Sequence, residues 1–306
     1  MLDIQGLRIR AALFSSIRLF FTQQGFLEVD TPLRQPIIIP ENNIIPLMSE
    51  GQYLQTSPEL CMKRLLANGC DKIFQVCPCF RKEERGRHHL EEFTMLEWYR
   101  TGADYSHLMN DCEELLRHTA RGLAGFLGKA AGQLENAFNA SNLEGPWQRL
   151  AVDEAFARFS PMAFDQALRD DRFDEILVEF VEPHLGNESP VFLYDYPREL
   201  ASLARAKIDD PGKVERFELY WQGIELANGF SELTAADEQR ARFLHELDLI
   251  EQKGRQHAGL PEFFLNDLEK ISSAAGIALG LDRLLMLFMG RQQIADVVSF
   301  SPEDFQ

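Results

Sequence analysis

A carboxylate sits where a strand would bury it. In Phe93-Thr-Met-Leu-Glu-Trp-Tyr-Arg100, alternation puts Phe93, Met95, Glu97 and Tyr99 on one face and Leu96 and Trp98 on the other. A carboxylate on an apolar face is costly unless it meets a cation. Glu97 therefore implies an internal ion pair, an edge strand, or a pocket for a cationic ligand in which Tyr99 offers a hydroxyl and a ring edge. A second segment gathers Glu218, Glu225, Asn228 and Glu232. Carboxylates from neighbouring strands can share a magnesium ion, which takes a few protein oxygens plus those of a phosphate substrate; the plainer alternative is a solvated acidic face. Arg81 and Arg283 stand at the ends of elements far apart in the chain, where arginine is often a surface residue but where its planar fork also suits phosphate. Two arginines, acids for magnesium and an acid-lined pocket together describe an adenylating site. Such a site stabilises in-line displacement at an α-phosphate by position and charge, without a covalent protein intermediate.

The elements that must position these groups are legible in outline. Leu13, Ile17, Phe20 and Phe21 mark a helix over about 7–24, closed by Gly25, and Phe26-Leu-Glu-Val-Asp-Thr-Pro32 reads as a strand stopped by proline. Irregular structure with Pro36, Pro40 and Pro46 follows, then a helix start at Ser57-Pro58-Glu59 with serine as cap and a stop at Gly69. Residues 73–80 and 93–100 form two strands joined by the charged loop Arg81 to Glu92, and 106–128 is helical. The acidic tract from about 128 to 190 is expected to be a helical elaboration. Strands 215–221 and 224–230 flank Gln222-Gly223, a tight hairpin turn. After a charged helix near 235–255, Gly276-Ile-Ala-Leu-Gly280 is a short buried strand feeding an apolar helix that Gly290 stops. The order implies an α+β fold, an antiparallel β-sheet flanked by helices.

Composition narrows the classes. With 306 residues, 45% hydrophobic and 26% charged, the chain can bury one large core, expected to be a single domain over 1–306. No apolar run reaches the roughly 20 residues of a membrane span, and the start lacks a signal-peptide pattern, so a cytoplasmic protein with no membrane association is expected. Five cysteines without a CxxC pair suggest buried reduced thiols and neither disulfides nor zinc. A net charge of -17 argues against a broad phosphate-tracking surface, although a local basic patch can sit on an acidic protein.

Three segments resemble, in order, the signature motifs of class II aminoacyl-tRNA synthetases: the opening helix with Phe26 to Pro32; Phe80-Arg-Lys-Glu83 running to Phe93-Thr-Met-Leu-Glu-Trp-Tyr99; and Gly276-Ile-Ala-Leu-Gly-Leu-Asp-Arg283. Thr56-Ser-Pro-Glu-Leu60 and Leu226-Ala-Asn-Gly-Phe-Ser-Glu-Leu233 are similar to the lysine-specific branch. The opening helix begins within about ten residues of Met1, so the anticodon-binding domain of a lysyl-tRNA synthetase is not expected. The layout, with Glu215-Arg-Phe-Glu-Leu-Tyr220 and Gly223-Ile-Glu-Leu-Ala-Asn-Gly-Phe230, resembles the elongation factor P (R)-β-lysine ligase family.

That resemblance implies ATP and magnesium (Mg2+) as cofactors, lysine or β-lysine as substrate, elongation factor P as acceptor protein instead of tRNA, and a homodimer formed through the opening helix and strand. It implies that Ser57, Pro58, Glu59, Glu97, Tyr99, Asn228, Phe230 and Glu232 meet the amino acid. It places Arg81, Lys82, Glu83, Leu226, Gly280 and Arg283 at ATP, with Arg81, Glu83 and Arg283 catalytic and Arg283 on the γ-phosphate side. Glu218 and Glu225 would hold magnesium, Glu225 also meeting ATP. Ala278 stands where lysyl-tRNA synthetases tend to have glycine, and one methyl can reshape the pocket floor. Leu90-Glu91 replaces the family's Asn-Pro in the second-motif loop. Two rivals remain: a truncated lysyl-tRNA synthetase-like enzyme with another acceptor, and an inactive paralogue serving as a regulatory subunit. The second would be expected to have lost the arginines and acids that this chain keeps.

Overall fold

Side chains along four neighbouring strands sort the molecule into a core face and a site face. The computed structural model describes residues 1–130 and 140–305. Its strands are β1 (Leu27–Glu28), β2 (Arg34–Gln35), β3 (Met48–Ser49), β4 (Gln52–Leu54), β5 (Lys72–Phe80), β6 (Glu92–Thr101), β7 (Gln148–Ala151), β8 (Val191–Pro197), β9 (Lys213–Trp221), β10 (Ile224–Ser231) and β11 (Ala274–Gly280). Its α-helices are α1 (Ile4–Gln23), α2 (Glu59–Ala67), α3 (Tyr105–Ala130), α4 (Val152–Phe159), α5 (Phe164–Arg169), α6 (Phe173–Ile176), α7 (Ala236–Gln252), α8 (Glu262–Leu268) and α9 (Leu281–Phe288). Eight strands form one sheet in the order β1-β5-β6-β11-β10-β9-β8-β7, and β2, β4 and β3 make a small second sheet. The large sheet is antiparallel except at its edges, where β1 lies parallel to β5 and β7 parallel to β8. This is the α+β arrangement expected.

Leu96 and Trp98 of β6, Ile277 and Leu279 of β11, and Phe217 and Leu219 of β9 all point to one side, where they meet α1, α3 and α9 in the main core. Leu13, Ile17 and Phe21 of α1 are fully buried there, each contributing about 1.5–3 kcal/mol on a transfer scale. Phe21 stacks on Phe74 at 4.7 Å and tilts against Trp98 at 5.3 Å. Asp3 caps α1, its Oδ1 accepting from the Gly6 amide at 2.7 Å. The opposite face of β6, β9, β10 and β11 carries the charged groups and is left open as a cleft.

Several expectations need correction. The tract after α3 is not only helical: α4, α5, α6 and a π-helical turn at Leu177–Val181 are joined by β7, which pairs in parallel with β8 at the sheet edge. β7 has two exposed residues followed by two buried ones, so it shows no alternation to betray it. Residues 131–139 of the expected elaboration lie outside those described. The strand expected over Phe26–Pro32 is only two residues long. Cys77, Cys79 and Cys112 are buried, but Cys61 and Cys70 are part-exposed. Among the described residues no helix is long and apolar enough to cross a membrane.

Candidate active site

The cleft encloses about 1050 Å³ and runs along the open face of β6, β11, β10 and β9. Its floor is β11. Gly276 pairs with Tyr99, Ala278 with Glu97 and Gly280 with Met95, so small residues lie beside the large polar ones of β6. Gly276 admits no side chain, because a Cβ there would stand 2.1 Å from the Tyr99 ring and 2.5 Å from Glu232 Oε1.

At one end the acids converge. Glu97 is 1% exposed. Its Oε1 accepts from the Ser57 hydroxyl at 2.6 Å and its Oε2 from the Tyr99 hydroxyl at 2.9 Å. Burial, with the nearby charge of Glu59, pushes the Glu97 carboxyl up to about 8. Ser57 stands one residue before the N-cap of α2, which is Pro58 (φ -77) and not the serine expected there; its Oγ nonetheless accepts from the Glu59 amide at 3.0 Å. One turn further along α2, the Lys63 ammonium forms ion pairs with both Glu59 and Glu232 and sits 5.2 Å from the Phe230 ring centroid. Burial alone would depress the Lys63 ammonium, but Glu232 and Glu59 more than offset it and hold its pKa above the ordinary value. Burial lifts the Glu232 carboxyl to about 8. Its Oε1 has no hydrogen-bond donor.

Two arginines also line the cleft, Arg81 beside the start of α2 and Arg283 beside Glu225. Arg81 ends the β5 strand, its Nε donating to the Thr56 carbonyl at 3.3 Å and its guanidinium lying 5.3 Å from the Phe93 ring centroid. Arg283, in the first turn of α9, donates to the Glu225 carbonyl at 2.8 Å and reaches Glu225 Oε2 at 3.3 Å. Its other terminal nitrogen meets His89 Nε2 at 2.6 Å. Burial and the Arg283 charge lower His89 to about 4, so its imidazole is neutral and accepts. Behind Arg283, buried Asp282 accepts from Arg10 of α1 at 2.6 Å and from the Thr94 amide at 2.6 Å. The sheet, α1 and α9 are thereby locked together.

Glu218 and Glu225 face the same cleft because Glu225 lies opposite Tyr220, two residues along β9 from Glu218, and a β-bulge then brings Asn228 to that face as well. Glu225 pairs with Tyr220 and Ala227 with Leu219, leaving Leu226 as the extra residue; the bulge resets the alternation so that Glu225 and Asn228 share a face. Glu218 is buried and accepts from Arg216 at 2.5 Å, Tyr196 at 2.5 Å and Tyr220 at 2.7 Å. Burial, partly offset by Arg216 and reinforced by Glu225, raises its pKa. Among the described residues no three of His, Cys, Asp and Glu gather as a metal cage. Two carboxylates facing one cleft, with Glu225 raising the proton affinity of Glu218, do fit magnesium, which binds one or two protein carboxylates and takes its remaining ligands from water and phosphate.

The cleft thus brings together Ser57, Glu59, Arg81, Glu97, Tyr99, Glu218, Glu225, Leu226, Asn228, Phe230, Ala278, Gly280 and Arg283 from the residues expected. Glu232 stands just behind the wall, 3% exposed. Lys82 and Glu83 do not reach the cleft: they pair with each other at 3.3 Å and their side chains are 50% and 66% exposed. Glu83 has φ 67, and its amide donates to Glu91 Oε1 at 2.8 Å. Glu91, which also meets Arg85, clasps this loop from within, while Glu84 and His89 occupy the cleft side. Lys63, Arg216 and Asp282 were missed by sequence reasoning. Glu59 and Lys63 have i,i+4 spacing, which ordinarily reads as an exposed helix pair.

A family profile described as tRNA synthetases class II (D, K and N) matches residues 4–304. The chain is 40% identical to the elongation factor P--(R)-beta-lysine ligase of Salmonella gallinarum (strain 287/91 / NCTC 13346), over 98% of this chain and 95% of that protein. It is 39% identical to the ligase of the same name from Enterobacter sp. (strain 638), with the same coverage of both chains. The chain belongs to the class II (D, K and N) tRNA synthetase family and, within it, to the family of the elongation factor P--(R)-beta-lysine ligases.

Proposed function

We propose that this protein uses ATP and magnesium to activate (R)-β-lysine, or lysine, as an aminoacyl-adenylate and passes the acyl group to a lysine side chain of elongation factor P. The observation carrying this reading is a single cleft lined by Glu59 and Glu97, with Glu232 just behind its wall, and by the guanidinium groups of Arg81 and Arg283. The acids would seat the substrate's ammonium groups and leave its carboxylate directed along β11. The carboxylate oxygen attacks the α-phosphorus and pyrophosphate departs. Arg81 and Arg283 stabilise the charge that develops on the phosphate oxygens, by preorganised donors. Magnesium, held by Glu218 and Glu225, would screen the phosphate charge. The acceptor amine then attacks the carbonyl of the mixed anhydride, an amide bond forms, AMP leaves and the amine's proton passes to solvent. The amine must be neutral, and an ordinary lysine pKa is about 10.4, so transfer should quicken as pH rises.

In this reading the chain acts as one catalytic domain and as a homodimer through α1 and β1, supported by the exposed Ile4, Leu19 and Leu27 on those elements. The direct test incubates labelled (R)-β-lysine or lysine with ATP, total tRNA, elongation factor P and the protein. Label in elongation factor P as a stable amide is expected. Label in tRNA as an alkali-labile ester, with none in the protein fraction, would favour the truncated synthetase instead.

A further inference from the structure

Lys63 is a cation inside a pocket proposed to bind cations. Its side chain is 2% exposed, its ammonium contacts Glu59 and Glu232, and the Phe230 ring covers it at 5.2 Å. Removing such a charge from water is repaid only by close partners, and both partners are acids expected to meet substrate. The third acid, Glu97, is already turned toward Ser57 and Tyr99. Glu41, from the loop preceding β3, lines the same cleft; burial raises its carboxyl to about 7, and Arg81 is its main opposing charge, while Cys79 near Glu97 is a buried thiol. With Glu41 answered by Arg81, the three carboxylates of Glu59, Glu97 and Glu232 stand against one resident ammonium.

We propose that Lys63 is a positioning residue that sets the pocket's charge count: it balances one of the three carboxylates of Glu59, Glu97 and Glu232 and leaves the other two for an amino acid bearing two ammonium groups. The inference rests on the proposed amino-acid activation, and it predicts that a diammonium amino acid fits better than one with a single ammonium. The unpartnered Glu232 Oε1 beside Gly276 is one acceptor left over by this arrangement. Lys63 lowers the proton affinity of Glu97 and Glu232, whose carboxyls, raised chiefly by burial, still hold protons near neutral pH in the unliganded protein. Affinity for a diammonium ligand should consequently rise with pH as those protons are lost.

The test measures binding of lysine and (R)-β-lysine by calorimetry from pH 6 to 9 without ATP, on protein checked for folding by circular dichroism. Lys63→Met should move the midpoint of the affinity–pH curve upward by about 1 unit or more, as removal of a near counter-charge does, and raise KM far more than it lowers kcat. Substrate ionisation is common to all variants, so the difference between curves reads the pocket. Lys63→Arg should restore the wild-type midpoint. The double variant Lys63→Met/Glu232→Gln removes one charge of each sign and should also return the midpoint toward wild type; it serves as well if Lys63→Met alone does not fold. A folded Lys63→Met with an unchanged midpoint, or a double variant no better than a folded single one, overturns the charge-count role. Should only Lys63→Arg and the double variant fold, a double-variant midpoint still displaced from wild type overturns it equally. Wild-type protein that binds neither isomer would instead overturn the activation reading beneath it.

Discussion

At the acid end of the cleft Glu97, Tyr99 and Lys63 are only 1–2% exposed; Tyr99 donates to Glu97, and Lys63 pairs with Glu59 and Glu232. At the arginine end the side chains of Arg283 and Arg81 are 20% and 25% exposed, and their partners include backbone carbonyls, a neutral imidazole and a loose 3.9 Å pair with Glu84. The first end is closed and charged, so it is suited to judge what enters. The second keeps spare donors, since a guanidinium has five N–H groups and Arg81 commits few of them. Recognition and charge stabilisation are thus separated along one strand, and substitutions at the two ends should fail in different ways.

The largest effect should come from Glu97→Ala, which deprives the Ser57 and Tyr99 hydroxyls of their acceptor and removes an ammonium partner. Breaking a buried charge interaction costs about 3–5 kcal/mol, so kcat/KM for the amino acid in ATP–pyrophosphate exchange should fall on the order of 10³-fold, with KM for ATP little changed. Arg81→Ala should lower kcat by about 10²-fold or more through loss of a charge-assisted phosphate contact, while calorimetric affinity for the amino acid persists. Equal loss of amino-acid binding in both variants would erase the distinction between the ends. Ala278→Gly should shift the ratio of kcat/KM values toward lysine over (R)-β-lysine by roughly tenfold at most, and an unchanged ratio would remove Ala278 from substrate selection.

The smallest effect concerns stability. Glu97 and Glu232 are raised to about 8, and Glu41 and Glu182 to about 7, chiefly by burial. A carboxyl whose pKa is raised on folding binds more protons in the native state, so its contribution is present below the unfolded value and lost as pH rises through the folded one. Between pH 6.5 and 8.5 the thermal midpoint of the unliganded protein should therefore fall, by about 2–4 °C for each kcal/mol lost. Saturating lysine should flatten that slope by giving the ionised acids their partners. A slope that lysine leaves untouched would detach these acids from the ligand.

Local pattern carried much of this. The face shared by Glu97 and Tyr99 follows from alternation alone, and Gln222-Gly223 turns as its residues predict, with φ of 53 and 71. The bulge at Leu226 was invisible because its extra residue is an ordinary leucine; without it Glu225 and Asn228 appear to face opposite ways. Lys63 was hidden for another reason. An acid and a lysine one helical turn apart look like a solvated pair until tertiary packing buries them under Glu232 and Phe230. The second-motif loop misled in the opposite sense, since Glu83 is turned outward by the clasp of Glu91 on its amide, an interaction that depends on a residue eight positions away.

In the proposed reading the stripe Gly276, Ala278, Gly280 would also act as a length gauge. Alternate residues of a strand are about 6.8 Å apart, so the stripe runs roughly 13–14 Å, from beside Tyr99 to the foot of Arg283. With the far mark fixed by a glycine that admits no side chain and the near one by an arginine anchored through α9, neither end can slide. A substrate that is one methylene too long or too short would misplace its carboxylate by about 1 Å, an error that can cost about 10²-fold in rate. Engineering this protein to take a shorter or longer diamino acid would therefore require moving a mark on the gauge, and Ala278 is the only graduation between its ends.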